Sequence, residues 1–329
     1  MKAMVYTQYG SPDVLHLEDV ATPTPADNEV LVKIYASSIN AADWHLLRAK
    51  PFLARLDNGL LKPKRTILGA DVAGRVEAVG GAVTQFKPGD EVFGDLFESG
   101  HGAFAEYATT PEQLLALKPA NITFEQAAAV PLAGVTALQA LRRVNVQPGE
   151  RVLINGATGG VGSFAVLIAK AYGAEVTGVC NPAKMDTVRS LGADHVIDYT
   201  QEDFTHSGQQ YDVIVDIAAN RSASDYKRAL SPQGRYIFVG FSTMGHMIRT
   251  TLQGMWISRT SDKRFVFMGT AKPNQPDLLI LSEMLESGKI VPHIDKTYPL
   301  SEVPDAIRYM ESRRIHGKVV ITVAQNDPA

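Results

Sequence analysis

Residues 155–162 read Asn-Gly-Ala-Thr-Gly-Gly-Val-Gly. They lie between a β-branched run, Arg151 to Asn155, and an apolar helical stretch, Gly162 to Tyr172. Backbone without side chains lets N–H groups at a helix amino end approach a pyrophosphate, where the helix dipole favours negative charge. The row runs GxxGGVG rather than GxGxxG, but the strand before, the helix after and the second strand, Glu175 to Cys180, give it the setting of a dinucleotide-binding loop. An acidic residue at the end of that second strand would hold the 2′-hydroxyl of NAD and repel a 2′-phosphate. Val179-Cys180-Asn181-Pro182 has no carboxylate. Asn181 reads as an N-cap and Pro182 as the first helical residue, which puts Lys184 in a first turn where the dipole disfavours a cation. A 2′-phosphate supplies the missing anion, so NADP (NADPH) is the expected cofactor. The plainer alternative is a solvated Lys184 with Asp186 nearby.

The elements around this loop change character along the chain. Up to about residue 120 short strands (Lys2 to Tyr6, Val30 to Ala36, Asp71 to Val79, Glu91 to Gly94, Phe104 to Ala108) alternate with turn clusters such as Pro23-Thr24-Pro25 and Pro88-Gly89-Asp90, the signature of a β-rich barrel or sandwich. From Thr123, which forms a capping box with Gln126, strands alternate with helices. Arg151 to Asn155, Glu175 to Cys180, Val213 to Asp216 and Arg235 to Gly240 then read as central parallel strands of a doubly wound α/β domain. A helix, Pro304 to Glu311, and a strand, Lys318 to Val323, close the chain.

Composition narrows the function classes. The 329 residues carry a formal charge of -3, with 45% hydrophobic and 20% charged residues, the balance of a two-domain globular protein without the basic footprint of a nucleic-acid binder. Cys180 is the one cysteine, so no internal disulfide or CxxC metal knuckle forms, which fits a reducing cytoplasm. No export signal and no apolar run near the ~20 residues of a membrane span is found. The basic clusters Lys62-Pro63-Lys64-Arg65 and Arg313-Arg314 read as solvated charges.

Several motifs in order resemble the medium-chain dehydrogenase/reductase superfamily, in its zinc-free quinone oxidoreductase branch: Ser38-Ile39-Asn40-Ala41-Ala42-Asp43-Trp44, Gly69-Ala70-Asp71-Val72-Ala73-Gly74, Gly89-Asp90-Glu91-Val92-Phe93-Gly94, Gly102-Ala103-Phe104-Ala105-Glu106-Tyr107 and Pro131-Leu132-Ala133-Gly134-Val135-Thr136-Ala137. The resemblance implies a GroES-like β-rich catalytic domain from residues 1–122 and 269–329. A Rossmann domain at 123–268 would be inserted into it, with the active site in the cleft between and a homodimer as the assembly. It implies cofactor contacts at Thr136, Thr158, Gly159, Gly160, Val161, Asn181, Lys184, Tyr199, Phe241, Phe267, Met268 and Lys318. Asn40, Asp43, Trp44 and His45 fall on its substrate-side segment, with Asn40 the expected hydrogen-bond donor and Trp256 and Tyr107 further off.

In the metal-dependent branch, catalytic zinc takes ligands where this chain has Asn40, Ala70 and Leu132-Ala133, so no metal is expected. Alkoxide chemistry leans on a metal to lower the oxygen's pKa. Hydride addition to a quinone, or to the β-carbon of an α,β-unsaturated carbonyl, needs only a hydrogen bond to the developing oxyanion. The implied activity is therefore zinc-independent, NADPH-dependent reduction of a small quinone or enone, with no nucleic-acid or membrane partner. A non-catalytic NADPH-binding protein is the alternative from another class, and an alcohol dehydrogenase a more remote one.

Overall fold

The computed structural model describes residues 1–52, 54–240 and 243–323. In chain order it runs β1 (Lys2–Val5), β2 (His16–Asp19), β3 (Glu29–Ser38), α1 (Ala41–Arg48), α2 (Ala54–Asn58), β4 (Asp71–Val79), β5 (Glu91–Asp95), β6 (Tyr107–Pro111), β7 (Leu115–Leu117), α3 (Phe124–Ala128) and α4 (Pro131–Arg143). Strands then alternate with helices, except that β11 follows β10 directly: β8 (Arg151–Asn155), α5 (Gly160–Ala171), β9 (Glu175–Cys180), α6 (Met185–Ser190), β10 (His195–Asp198), β11 (Tyr211–Asp216), α7 (Ala223–Ala229), β12 (Leu230–Phe238), α8 (Met244–Thr260) and β13 (Arg264–Phe267). Then come α9 (Gln275–Glu286), β14 (Ile294–Pro299), α10 (Val303–Glu311) and β15 (Lys318–Thr322).

Two compact units result, Met1–Val135 with Lys272–Ala329, and Thr136–Ala271. The first division thus falls within α4 rather than after Ile122. The reason is packing: the Phe124 ring stacks on Tyr35 of β3 at 4.6 Å, and the Thr123–Gln126 capping box starts α3 against the first unit's strands. The second division comes after Ala271 rather than after Met268.

In the first unit a seven-stranded sheet has the order β14-β15-β3-β4-β5-β7, with β6 also on β3. All pairs are antiparallel except β14 with β15. Val30, Val32 and Ile34 alternate along β3 and bury one face with Val72, Val76 and Val92, while Leu31, Tyr35 and Ser37 on its other face are buried as well, so β3 is covered on both sides. The strand expected at Phe104 to Ala108 begins instead at Tyr107, because Phe104 and Ala105 pair with β1 through Met4 and Ala3. Register brings four strands together at one end: Ser38 lies opposite Asp71, Asp71 opposite Asp95, and Val320, two residues into β15 from Lys318, opposite Ser38.

The second unit is a six-stranded, wholly parallel sheet in the order β10-β9-β8-β11-β12-β13. Buried on both faces, β8 and β11 have apolar centres, Val152-Leu153-Ile154 and Val213-Ile214-Val215, as central parallel strands do. Strand order reverses at β8, which places the loop after Asn155 at the switch point where such sheets bind ligands.

Candidate active site and cofactor cradle

The glycine loop is built for close approach. Gly162 is obligatory for the fold, since a Cβ there would lie 2.0 Å from the carbonyl oxygen of Gly156. Gly159, the N-cap of α5, is different: its backbone is ordinary (φ -76) and a Cβ would meet nothing within 4 Å. Its missing side chain leaves open space in front of the first N–H groups of α5, which have no acceptor inside the helix. Gly159 is exposed, Gly160 and Val161 are half-buried, and Thr158 is buried behind them. The helix starts at Gly160, two residues earlier than its sequence suggests. These residues fit a dinucleotide pyrophosphate.

Behind the loop, Asn155 Nδ2 donates to Asp216 Oδ1 at 2.9 Å, and Tyr236 Oη donates to Asp216 Oδ2 at 2.8 Å. Ala219 N–H also donates to this carboxylate. Burial pushes the Asp216 carboxyl up against the pull of those hydrogen bonds. Sequence reasoning gave Asp216 no role; its signal is a lone acid at the end of the otherwise apolar run Val213-Ile214-Val215.

At the end of β9, Asn181 caps the next turn by accepting from Ala183 N–H at 3.1 Å, and its Nδ2 donates to Tyr199 Oη at 3.3 Å. Lys184 ends a short 3-10 turn, Pro182–Lys184, and opens α6. Asp186 pairs with Arg189 at 2.7 Å. Asn181, Tyr199 and Lys184 therefore share one corner with no acid on β9 beside them; the nearest carboxylate in register, Asp198 across from Cys180, accepts from Thr200 N–H and Oγ1. Burial pushes the Cys180 thiol up to about 11.

Of the remaining expected cofactor residues, Thr136 is half-buried on α4 where the second unit begins. Phe267, 42% exposed, and buried Met268 lie at the end of β13, where Met268 N–H donates to Phe238 O. Phe241 lies outside the described residues.

Lys318, a further expected cofactor residue, sits in a buried polar network of the first unit. It is 2% exposed, and its ammonium donates to Asn40 Oδ1 at 2.6 Å and lies 3.2 Å from Asp71 Oδ2. Asn40 Nδ2 donates to that same Asp71 oxygen at 2.8 Å, and Ser38 Oγ donates to it as well. Asp71 Oδ1 accepts from Leu132 N–H at 2.7 Å. Asn40 is thus locked at both ends of its amide, a holder rather than the open donor expected. Asp43 closes the capping box of α1 by accepting from Asn40 N–H at 2.8 Å, and accepts from Gly69 N–H at 3.0 Å. Burial pushes its carboxyl up to about 7 despite those two bonds. Asp95 is held well above the usual carboxylate range, first by burial and then by the Asp71 charge across the ladder. Ser38, Asp71 and Asp95 were unassigned from sequence; an acid opening a run of buried strand, Asp71-Val72-Ala73, was their signal.

Trp44 and His45 lie off this network. Trp44 Nε1 donates to Glu311 at 2.6 Å, a carboxylate shared with Arg48, and its ring packs on the first unit's core. His45 Nδ1 is bound to the Lys50 carbonyl oxygen. Tyr107 is half-buried at the start of β6, and Trp256 stands 64% exposed on α8.

Similarity to known proteins follows the same lines. The chain matches the alcohol dehydrogenase GroES-like domain over residues 26–120 and the zinc-binding dehydrogenase family over 191–321. It is 37% identical to the 2-methylene-furan-3-one reductase of Solanum lycopersicum and 36% identical to the chloroplastic NADPH-dependent alkenal/one oxidoreductase of Arabidopsis thaliana, in each case over 98% of this chain and 79% of the relative. The structure of the quinone oxidoreductase from Coxiella burnetii superposes with a TM-score of 0.87 at 30% identity, over 98% of this chain and 99% of that one. The chain belongs to the medium-chain dehydrogenase/reductase superfamily. Within it, these relatives lie in the quinone and alkenal oxidoreductase branch. The zinc that one family name implies does not fit the donors here: Asn40 and Ala70 stand at two ligand positions, and among the described residues no group of three or more His, Cys, Asp or Glu side chains is arranged to hold a metal ion.

Proposed function

We propose that this protein is a zinc-independent, NADPH-dependent reductase of quinones and α,β-unsaturated carbonyls. The observation that carries the reading is the closed Lys318–Asn40–Asp71 network: where a metal-dependent relative begins its ligand set, this chain has an amide locked between an ammonium and a carboxylate. The bound dinucleotide supplies hydride, which the β-carbon of an enone or a quinone carbon accepts. The chain's part is to bind and orient. The amino end of α5 faces the pyrophosphate, and Lys184, Asn181 and Tyr199 form the corner suited to the adenosine ribose and its 2′-phosphate. Asn40 and Asp43 act as positioning residues that fix the turn from β3 into α1, and solvent returns the proton to the reduced carbonyl product. The lone buried thiol suits a reducing compartment such as the cytoplasm, and the free edge of β13 suits a homodimer.

Turnover of NADPH with a panel of enals, enones and quinones, unaffected by chelator, is expected, with little oxidation of simple alcohols. Cofactor binding with no turnover of any acceptor would move the protein to the non-catalytic class. Lys184→Ala should weaken NADPH by about five- to thirty-fold, the worth of one partly exposed charge-assisted bond, and leave NADH unchanged. Dissociation constants at fixed ionic strength test this, because such contacts are screened by salt.

A further inference from the structure

Along the carboxyl edge of the second unit's sheet, each strand end gives a carbonyl to the chain leaving its neighbour. Val179 O accepts from Gly156 and Ala157 N–H at 3.2 and 3.1 Å, Asn155 O from Ile217 and Ala218 N–H at 3.0 and 3.1 Å, Asp216 O from Val239 N–H at 2.9 Å, and Phe238 O from Met268 N–H at 3.1 Å. Backbone alone makes this row. Strands β9 and β12 accordingly end on buried apolar side chains, Cys180 and Phe238. Strands β8 and β11 do not: they end on Asn155 and Asp216, 2% and 0% exposed, and these two strands flank the point at which the sheet order reverses.

The pair joins what the crossovers separate. At a switch point the chain leaves one strand toward one face of the sheet and its neighbour toward the other, and a crevice opens between their ends. Asn155 Nδ2 donates across it to Asp216 Oδ1 at 2.9 Å, and the same oxygen accepts from Ala219 N–H at 2.9 Å. Ala219 has φ +50, a left-handed conformation that costs an alanine free energy. Asp216 Oδ2 accepts from Tyr236 Oη at 2.8 Å, and Asn220 Oδ1 accepts from Asn155 Nδ2 at 3.0 Å. The two turns also approach closely, since a Cβ on Gly156 would lie 3.2 Å from Ala218 N. A carboxyl buried among neutral donors is a costly way to end a strand, and the apolar ends of β9 and β12 show that the backbone row forms without one. We infer that Asp216 is a positioning residue for the dinucleotide: it locks the glycine loop after β8 and the left-handed turn after β11 into one preformed floor for the pyrophosphate and the nicotinamide half. The adenosine corner beyond β9 is independent of it, because Asn181 bonds there to Ala183 N–H and Tyr199 Oη and not to this network. The inference rests on the cofactor site proposed above.

The test compares dissociation constants of the full chain for NADPH and for 2′-AMP, a fragment with the adenosine and the 2′-phosphate but neither pyrophosphate nor nicotinamide. Asp216→Ala leaves the Asn155 and Ala219 donors without their acceptor. It should weaken NADPH by about tenfold, the scale of one lost buried acceptor, and leave 2′-AMP within about twofold of wild type. Asp216→Asn should bind NADPH as wild type does: its amide oxygen can accept from Asn155 and Ala219 while its nitrogen donates to Tyr236 Oη. Rescue by that isostere is the mark of positioning rather than charge. A merely structural role lowers the melting temperature without any contrast between the two ligands. NADPH affinity kept in Asp216→Ala overturns the inference, as do equal losses of both ligands, or a loss in Asp216→Asn as large as in Asp216→Ala. Should Asp216→Ala fail to fold, Asn155→Ala breaks the same tie from the β8 side; a loss of about threefold confined to NADPH is then expected, and an unchanged affinity overturns the inference. Wild-type protein that binds no NADPH removes the cofactor reading and this inference together. NADPH binding without turnover of any acceptor leaves the affinities to decide here and sinks only the reductase reading.

Discussion

Asn40, Asp71 and Lys318 come from three separate strand ends, and each satisfies the others in a place water does not reach. Removing one partner of such a buried pair strands a charge, so Lys318→Met should cost about 3–5 kcal/mol of stability. Adding Asp71→Asn should recover a large part of that loss. Urea unfolding of the single and double variants measures the coupling, and additive losses would mean that the pair is not a unit. Asp43 gives a pH-dependent expectation. Its folded carboxyl is raised to about 7 from an ordinary 3.8, so its contribution to stability is fully present below about pH 4 and is lost as pH rises through about 7. The upper bound is about 4 kcal/mol, at 1.36 kcal/mol per pKa unit. Asp43→Asn should therefore lose less stability than wild type between about pH 5 and pH 8, as compared by urea midpoints at the two pH values. Parallel pH curves for the two proteins would place the proton elsewhere, Asp95 being the neighbouring candidate.

At the scale of elements, the passage from β8 into α5 holds two glycines with different reasons to exist, Gly159 at the N-cap and Gly162 in the first turn of α5, and this separates folding from binding. Gly162→Ala sets a methyl against Gly156 O and should destabilise by about 1–3 kcal/mol. Gly159→Ala meets nothing in the protein, so stability should change by no more than about 1 kcal/mol, the usual scale of an N-cap change. NADPH affinity should nevertheless fall sharply in the Gly159 variant, because the methyl enters the space kept for the pyrophosphate. Thermal melts and NADPH titration on both variants test the contrast; unchanged affinity in Gly159→Ala would remove this loop from the cofactor site. The loop, β8, β9 and the Asn181 cap were legible in the sequence because each rests on local signals: β-branched runs, a glycine row, an Asn-Pro start. The Asp71 and Asp216 networks were not, since most of their side-chain partners are distant in the chain, Lys318 lying 247 residues from Asp71 and Asn155 61 residues from Asp216, and sheet register brings them together. Elements with mixed patterns, such as β14 with its mostly exposed or half-exposed side chains, gave no periodic signal, and the start of β6 was misplaced because pairing with β1 takes up Phe104 and Ala105.

For the molecule as a whole, the sheet of the second unit ends at β13, whose outer edge has no strand beside it among the described residues. An edge of this kind is a template for a further strand, and a two-fold axis is the simplest way for one chain to supply it to another. Helix α8, which packs on β13 with Gly254 closely against Phe265, carries Ile248, Leu252, Met255 and Trp256 as a spacing of four, three and one residues, each at least half exposed. That spacing is one face of a helix. Edge and stripe adjoin, so a second copy pairing at β13 has an apolar surface next to it to cover, as a stable interface of about 1,000 Å² or more requires. The expectation is a dimer at micromolar concentration by sedimentation. Leu252→Lys with Trp256→Lys sets like charges on both copies at the symmetric contact and should shift the protein toward monomer, while NADPH affinity stays as it was because neither residue belongs to the cradle. A wild-type monomer would remove the β13 edge as an interface. A dimer indifferent to the double lysine variant would restrict the contact to the strand edge itself and leave the α8 stripe outside it.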